Sequence, residues 1–243
     1  MKTMALSLRT AKEIIRDPLS LGFGLGFPLV LLLLLSAIQA NIPVALFEIE
    51  RLAPGIAVFG LSFITLFSAT LISKDRGSSL LHRLYTTPLR PLDFILSYTL
   101  PIIPMAVTQS AITFIVAIIL GLKPSFYLLL SLLFVIPISF LYISLGLLFG
   151  SILSDKAVGG VCGALLTNLS AWLSGVWFDL KLVGGVFEKI AHALPFVHAV
   201  ELLQSILKGD FSSIIIPLIV VSSYSLVIFA LAVFFFFRQM KKQ

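Results

Sequence analysis

His198, Glu201, Ser205 and Lys208 recur at spacings of three and four, so a helix would carry them on one face. Most of the remaining positions between Pro195 and Gly209, including Phe196, Val197, Val200, Leu203 and Ile206, are apolar. Such a helix presents one narrow polar stripe and otherwise touches lipid or protein. It fits either an outer gate or a surface helix at a membrane interface. Pro195 suits the start of this helix and Gly209 its end. A second chemical concentration runs from Lys74 through Arg76, His82 and Arg83 to Pro88 and Arg90. It combines basic residues with Leu80, Leu81 and Leu84, a pattern suited to docking a soluble partner. Other chemistries find no support. No G-x-x-x-x-G-K-[ST] loop is present, so ATP binding by that route is not expected in this chain. The three histidines are dispersed, Cys162 is a lone thiol in an apolar run, and no metal site or nucleophilic triad emerges.

The elements that position these residues must sit in lipid. Of 243 residues, 59% are hydrophobic and 12% charged, whereas soluble domains average about 45–50% apolar and about 25% charged. A helix needs about 20 apolar residues to cross a bilayer. Six runs qualify, at about 19–40, 52–73, 92–120, 126–151, 157–178 and 213–237. Lipid offers no partners for backbone N–H and C=O groups, so these runs are read as helices. The fold class is therefore an all-α integral membrane protein, with residues 1–243 forming one transmembrane domain.

Orientation follows from Lys and Arg near the spans. The N-terminus, the 74–90 segment, Lys156 and the C-terminus together hold twelve, and the opposite loops hold five. The side with twelve is expected to be cytoplasmic, with both termini inside. The net charge of +6 is thus a topology signal and requires no nucleic-acid partner. A cleaved leader over residues 1–40 is disfavoured by the long charged segment and the near span-length apolar run.

Residues 1–17 place Met4, Leu8, Ala11 and Ile15 on one helical face, as expected of an interfacial helix broken at Asp17-Pro18. Leu80–Tyr85 should continue as a short helix after Gly77, stopped by Pro88 and Pro91. Within the spans ionisable groups are nearly absent, which argues against an ion-coupled carrier. The polar residues that remain there, notably Gln109, Thr113 and Asn168, serve either helix packing or a substrate pathway. Gly22, Gly24, Gly26, Gly159, Gly160 and Gly163 are candidates for close helix approach.

The chain resembles the membrane subunit of ABC-2-type transporters. The resemblance rests on six spans after an N-terminal interfacial helix and on Lys74-Asp75-Arg76-Gly77 followed by Leu81-His82-Arg83-Leu84-Tyr85-Thr86-Thr87-Pro88. Phe94-Ile95-Leu96-Ser97-Tyr98-Thr99-Leu100-Pro101, continuing to Pro104 and Gln109, adds to it, as does the Leu194-Pro195 to Gly209 segment before the last span. Ser97 stands where the family commonly has Gly. The resemblance implies a multi-pass cell-membrane exporter subunit that pairs with a second permease copy or homologue. It implies a cytoplasmic ABC ATP-binding subunit carrying ATP and Mg, with no cofactor on this chain. It further implies a coupling helix with Arg76, Gly77, Leu81, His82, Arg83, Leu84 and Pro88, and an outer re-entrant gate with Pro195, His198, Glu201 and Gly209. A membrane scaffold that transports nothing is the alternative from another class.

Overall fold

A computed structural model describes residues 2–78 and 91–240. The predicted positions Leu81, His82, Arg83, Leu84 and Pro88 lie outside the described residues. The described residues are helical or connecting, without strands. The labelled helices are α1 (Lys2–Ile15), α2 (Phe27–Ala40), α3 (Ile49–Gly77), α4 (Pro91–Ile119), α5 (Phe126–Ile152), α6 (Thr167–Leu173), α7 (Gly185–Ala193), α8 (Pro195–Lys208) and α9 (Ile215–Met240). A π-helical turn, Gly22–Gly26, leads into α2, and another, Gly159–Leu166, leads into α6.

Five helical segments are long and apolar enough to cross a membrane: Gly22–Asn41, Ile49–Gly77, Asp93–Ile119, Phe126–Ile152 and Phe211–Gln239. They coincide with five of the six predicted runs. The remaining run, near 157–178, is a composite of Asp155–Val158, the π turn and α6. Its apolar stretch is diluted by Gly159, Gly160, Gly163 and Asn168, which sets it apart from the other five. Helices α7 and α8 form a further apolar pair, bent by 76°.

α3 is the central helix. Its face is buried almost continuously from Leu52 to Thr65, and it packs against α2, α4, α5, α8 and the composite helix. The outer helices α2 and α9 expose large apolar side chains such as Leu34, Ile219 and Leu226, as lipid-facing helices do. α5 packs closely against both α3 and α9. Thr65 Oγ1 donates to the Tyr142 carbonyl at 2.9 Å, bonding α3 to α5 through a span-to-span hydrogen bond.

The α3–α5 seam depends on absent side chains. A Cβ at Gly146 would lie 2.6 Å from the Thr65 carbonyl oxygen, and one at Gly150 would lie 2.7 Å from that of Ala69. The contacting atoms are backbone and cannot swing aside. Of the glycines singled out from sequence, Gly22, Gly26, Gly159 and Gly160 would meet nothing within 4 Å. Gly24 and Gly163 do lie close to α3, where a Cβ would meet the Phe67 ring at 2.5 Å and Leu66 at 3.2 Å, but the approach onto backbone runs through Gly146 and Gly150 of α5.

α1 has two apolar faces. Leu6, Thr10 and Ile14 are buried, and the helix packs on α4. Met4, Leu8 and Ile15, the face predicted from sequence, point away from the bundle and are more than half exposed. Replacing Gly146 with alanine is expected to lower the melting temperature of the detergent-solubilised protein by several degrees. Gly160→Ala should leave it unchanged or raise it. Thermal unfolding of both variants beside the unaltered chain measures the difference.

Candidate functional site

The last turn of α3 carries Ser73, Lys74, Asp75 and Arg76, and it is braced on two sides. Asp75 is buried. Its carboxylate accepts from Arg9 twice, Nη1 to Oδ2 and Nη2 to Oδ1, both at 3.0 Å. Tyr98, buried in α4, donates its hydroxyl to Asp75 Oδ2 at 2.6 Å. Arg9 also reaches Glu13 Oε1 at 2.6 Å, one turn along α1. Burying a carboxylate is costly unless donors replace the water it gives up. Here a forked guanidinium and a phenol do so, which is the strong class of charge-assisted contact. The consequence is that α1, α3 and α4 meet at one oxygen pair.

Arg76 points to the other side. Its Nη1 and Nη2 donate to the carbonyls of Ser151 and Leu153. These lie at the C-terminal end of α5, where helix carbonyls lack intrahelical partners and the dipole favours a cation. Ser73 Oγ adds a bond to Asp155 Oδ1 at 3.2 Å. Gly77 ends α3, and Ser78 closes the turn by donating its N–H and its Oγ to the Asp75 carbonyl. Arg76 and Gly77, expected from sequence in the loop after a span ending near residue 73, lie in the last turn of α3, which runs to Gly77. Asp75, Arg9 and Tyr98 did not emerge from sequence as a unit. The only signal was an acid interrupting a basic run at the end of an apolar helix.

At the opposite end of the bundle, the start of α3 meets the α7–α8 hairpin. Pro195 occupies the first turn of α8, and Gly209 caps it in the left-handed region at φ 72°. The capping bonds run from Gly209 N–H to the Ile206 carbonyl and from Asp210 N–H to the Ser205 carbonyl. His198 Nε2 lies 2.9 Å from the His192 carbonyl oxygen, and Nδ1 lies 3.1 Å from Glu201 Oε2. His192 Nδ1 stands 4.0 Å from the other Glu201 oxygen. Arg51 pairs with Asp179 at 3.7 Å, and Gln204 donates to the Arg51 carbonyl. Arg51, Asp179, His192, Glu201 and Gln204 line a cavity of about 110 Å³, with His198 packed behind it. The hydrogen bond to Glu201 raises the His198 pKa above its ordinary value, against the opposing effect of burial.

The polar residues predicted within the spans separate into two environments. Gln109 is buried against Gly60, its carboxamide filling the space a Cβ there would need, and Thr113 bonds the Gln109 carbonyl. Asn168 is exposed and donates to the Ala164 carbonyl. It lines a lateral groove of about 300 Å³ with Phe27, Phe59, Phe63 and Trp177. The aromatic rings meet edge to face, with centroids 5.5–5.7 Å apart for Phe59–Trp177, Phe59–Phe63 and Phe27–Phe63. Among the described residues no group of three His, Cys, Asp or Glu side chains could hold a metal ion.

Arg9→Ala and Asp75→Asn are each expected to cost about 1–3 kcal/mol, because each leaves a partner without its counterpart. Tyr98→Phe should cost about 1 kcal/mol. Since Arg9 and Asp75 act as one unit, Arg9→Ala with Asp75→Asn should cost less than the sum of the two. Thermal unfolding of the three single variants and this double variant measures the coupling.

No curated protein matches this chain. The family model described as ABC-2 type transporter matches residues 1–208, a stretch that includes α1, the braced end of α3 and the α7–α8 hairpin up to Lys208. With apolar helices of span length and a match over most of its length, the chain is a multi-pass membrane protein and belongs to the ABC-2 type transporter family.

Proposed function

We propose that this permease subunit forms an export pathway as a dimer and is driven by a separate cytoplasmic ATP-binding subunit, which carries ATP and Mg. The partner docks on the segment from Arg76 to Pro88, on the side that also holds both termini. Positive charge concentrated on that side supports a cytoplasmic orientation in the cell membrane. One observation carries the coupling. The chain passes into that segment directly from the last turn of the central helix, where Asp75 and Arg76 bond to α1, α4 and the end of α5. A push that reaches the end of α3 would therefore move four elements together. Arg76 and Gly77 belong to the braced end, while Leu81, His82, Arg83, Leu84 and Pro88 are proposed as contacts to the ATPase.

The aromatic groove supports a pathway on the α2–α6 side. A carboxamide on a lipid-facing surface would be costly. Asn168 is exposed there among rings from α2, α3 and the Trp177 turn. A second permease copy facing this groove would turn it into the wall of a shared passage. Gln109 and Thr113 act in helix packing on this reading, with the Pro195–Gly209 hairpin gating the far side.

Gently solubilised membranes, affinity-purified on this chain, are expected to yield a co-purifying ATPase activity. Charge reversal at Arg83 should separate hydrolysis from transport while membrane insertion is retained. Loss of the ATPase on altering Arg76 and Arg83 supports the docking assignment. Its absence from every detergent extract of the native protein points to a membrane scaffold.

A further inference from the structure

His198 presents both ring nitrogens to acceptors. A backbone carbonyl can only accept, so the contact with the His192 oxygen requires a hydrogen on Nε2. A neutral imidazole has one N–H, and this contact uses it. The bond between Nδ1 and Glu201 Oε2 at 3.1 Å then needs a second hydrogen, held by the ring or by the carboxyl. The arrangement therefore contains one more proton than a neutral imidazole and a carboxylate carry between them. His198 is 9% exposed, so its ring has little access to water, whereas the Glu201 side chain is partly exposed.

The ring also spans a joint. His192 lies in the last turn of α7, His198 in the first turn of α8, and Glu201 one turn further. Between them, at Leu194, the chain bends by 76°. The bend interrupts the ladder that would satisfy the His192 carbonyl, and His198 supplies the donor instead. Tyr224 of α9 does the same for the next carbonyl, donating to Ala193 at 2.6 Å.

We propose that His198 and Glu201 bind one proton between them, and that this proton latches the bend of the hairpin. This deepens, and rests on, the reading of the hairpin as an outer gate. When the proton leaves, the lone pair of Nδ1 faces the ionised Glu201 carboxylate, and the attraction becomes repulsion. The neighbouring charges do not compensate. Arg51 and Asp179 pair with each other, and Lys181 lines the same cavity as a fixed cation. His192 also faces this pair, with Nδ1 4.0 Å from the opposite Glu201 oxygen.

The sign follows from the His198 pKa, which is raised in the latched state. The latch is complete below the ordinary histidine value of about 6.5 and is lost as pH rises through the raised value. An acidic outer medium closes the hairpin, and an alkaline one frees α7 to turn on Leu194.

Two measurements on the full-length permease in lipid nanodiscs test this, without any ATPase. Ring C–H resonances of the three histidines are followed with pH and assigned by His82→Gln, His192→Gln and His198→Gln. The His198 resonance should titrate above about 6.5 in the native chain. In Glu201→Gln that elevation should vanish. Hinge opening is read by a charged, water-soluble thiol reagent. In a Cys162→Ala background, Val197→Cys reports the buried face of the bend and Val186→Cys an exposed reference on α7. Their labelling ratio cancels the pH dependence of the thiolate. It should rise about fivefold or more between about pH 5.5 and about pH 8.5. Glu201→Gln, whose carboxamide donates to Nδ1 without an extra proton, should hold the ratio low at both ends, and His192→Gln should behave as the native chain does. A His198 that titrates at or below the ordinary value overturns the shared proton. A flat native ratio, a rise that persists in Glu201→Gln, or a rise abolished by His192→Gln overturns the latch. Any of these leaves the ATPase-docking reading standing, because no partner takes part in the measurement.

Discussion

A buried carboxylate at the end of an apolar span sets a constraint that reaches through much of this molecule. Asp75 gives up water and must be supplied with donors by the protein. Arg9 and Tyr98 supply them, one from a helix at the start of the chain and the other from the helix that follows the 79–90 segment. Satisfying one side chain thereby fixes the relation of three helices. Its neighbour Arg76, pointing elsewhere on the same turn, fixes a fourth by capping the carbonyls at the end of α5. Adjacent residues of opposite charge brace the end of the central helix from different directions.

The two ends of the bundle solve the same physical problem by different means. Backbone groups left over at helix ends require partners, since lipid provides none. At the basic end a permanently charged guanidinium serves α5, and its contacts do not depend on pH in the physiological range. At the far end an imidazole serves α7, and its contacts do. The first arrangement suits transmission of force and the second suits a joint that must release. The long α3 runs between them, from the Arg51–Asp179 pair to the Asp75 cluster.

Much of the architecture was legible because lipid enforces it. Runs of about 20 apolar residues became helices of span length, and Pro195 and Gly209 bounded α8 by the ordinary chemistry of helix ends. The break at Asp17-Pro18 fell where predicted. Spacing along one helix also joined His198 to Glu201. What escaped were relations between distant residues. Nothing local to Arg9 announces Asp75, because the pairing exists only once three helices have packed. Glycine clusters were informative only in part for a related reason. Gly159 and Gly160 face open space while Gly163 beside them meets Leu66, and Gly146 and Gly150, one helical turn apart, touch the backbone of α3. Asn168 and Gln109 look alike as amides in apolar runs, yet one is exposed in an aromatic groove and the other fills a helix seam. Sequence records the residue type and leaves open which face of the helix its neighbours will cover.

The bond between Arg9 and Asp75 joins residues 66 positions apart, and Tyr98 completes it from further along still. This fixes an order of events during synthesis. α1 precedes both partners in the chain, so its full set of contacts at Asp75 forms only once Tyr98 has been made and α3 and α4 have come together. Until then Leu6 and Ile14, which the finished bundle buries, have only the membrane surface to rest on, whereas Met4, Leu8 and Ile15 stay exposed after docking as well. A helix made before its partners thus finds its place after them, and its docking marks the completion of the helix pair that flanks the 79–90 segment.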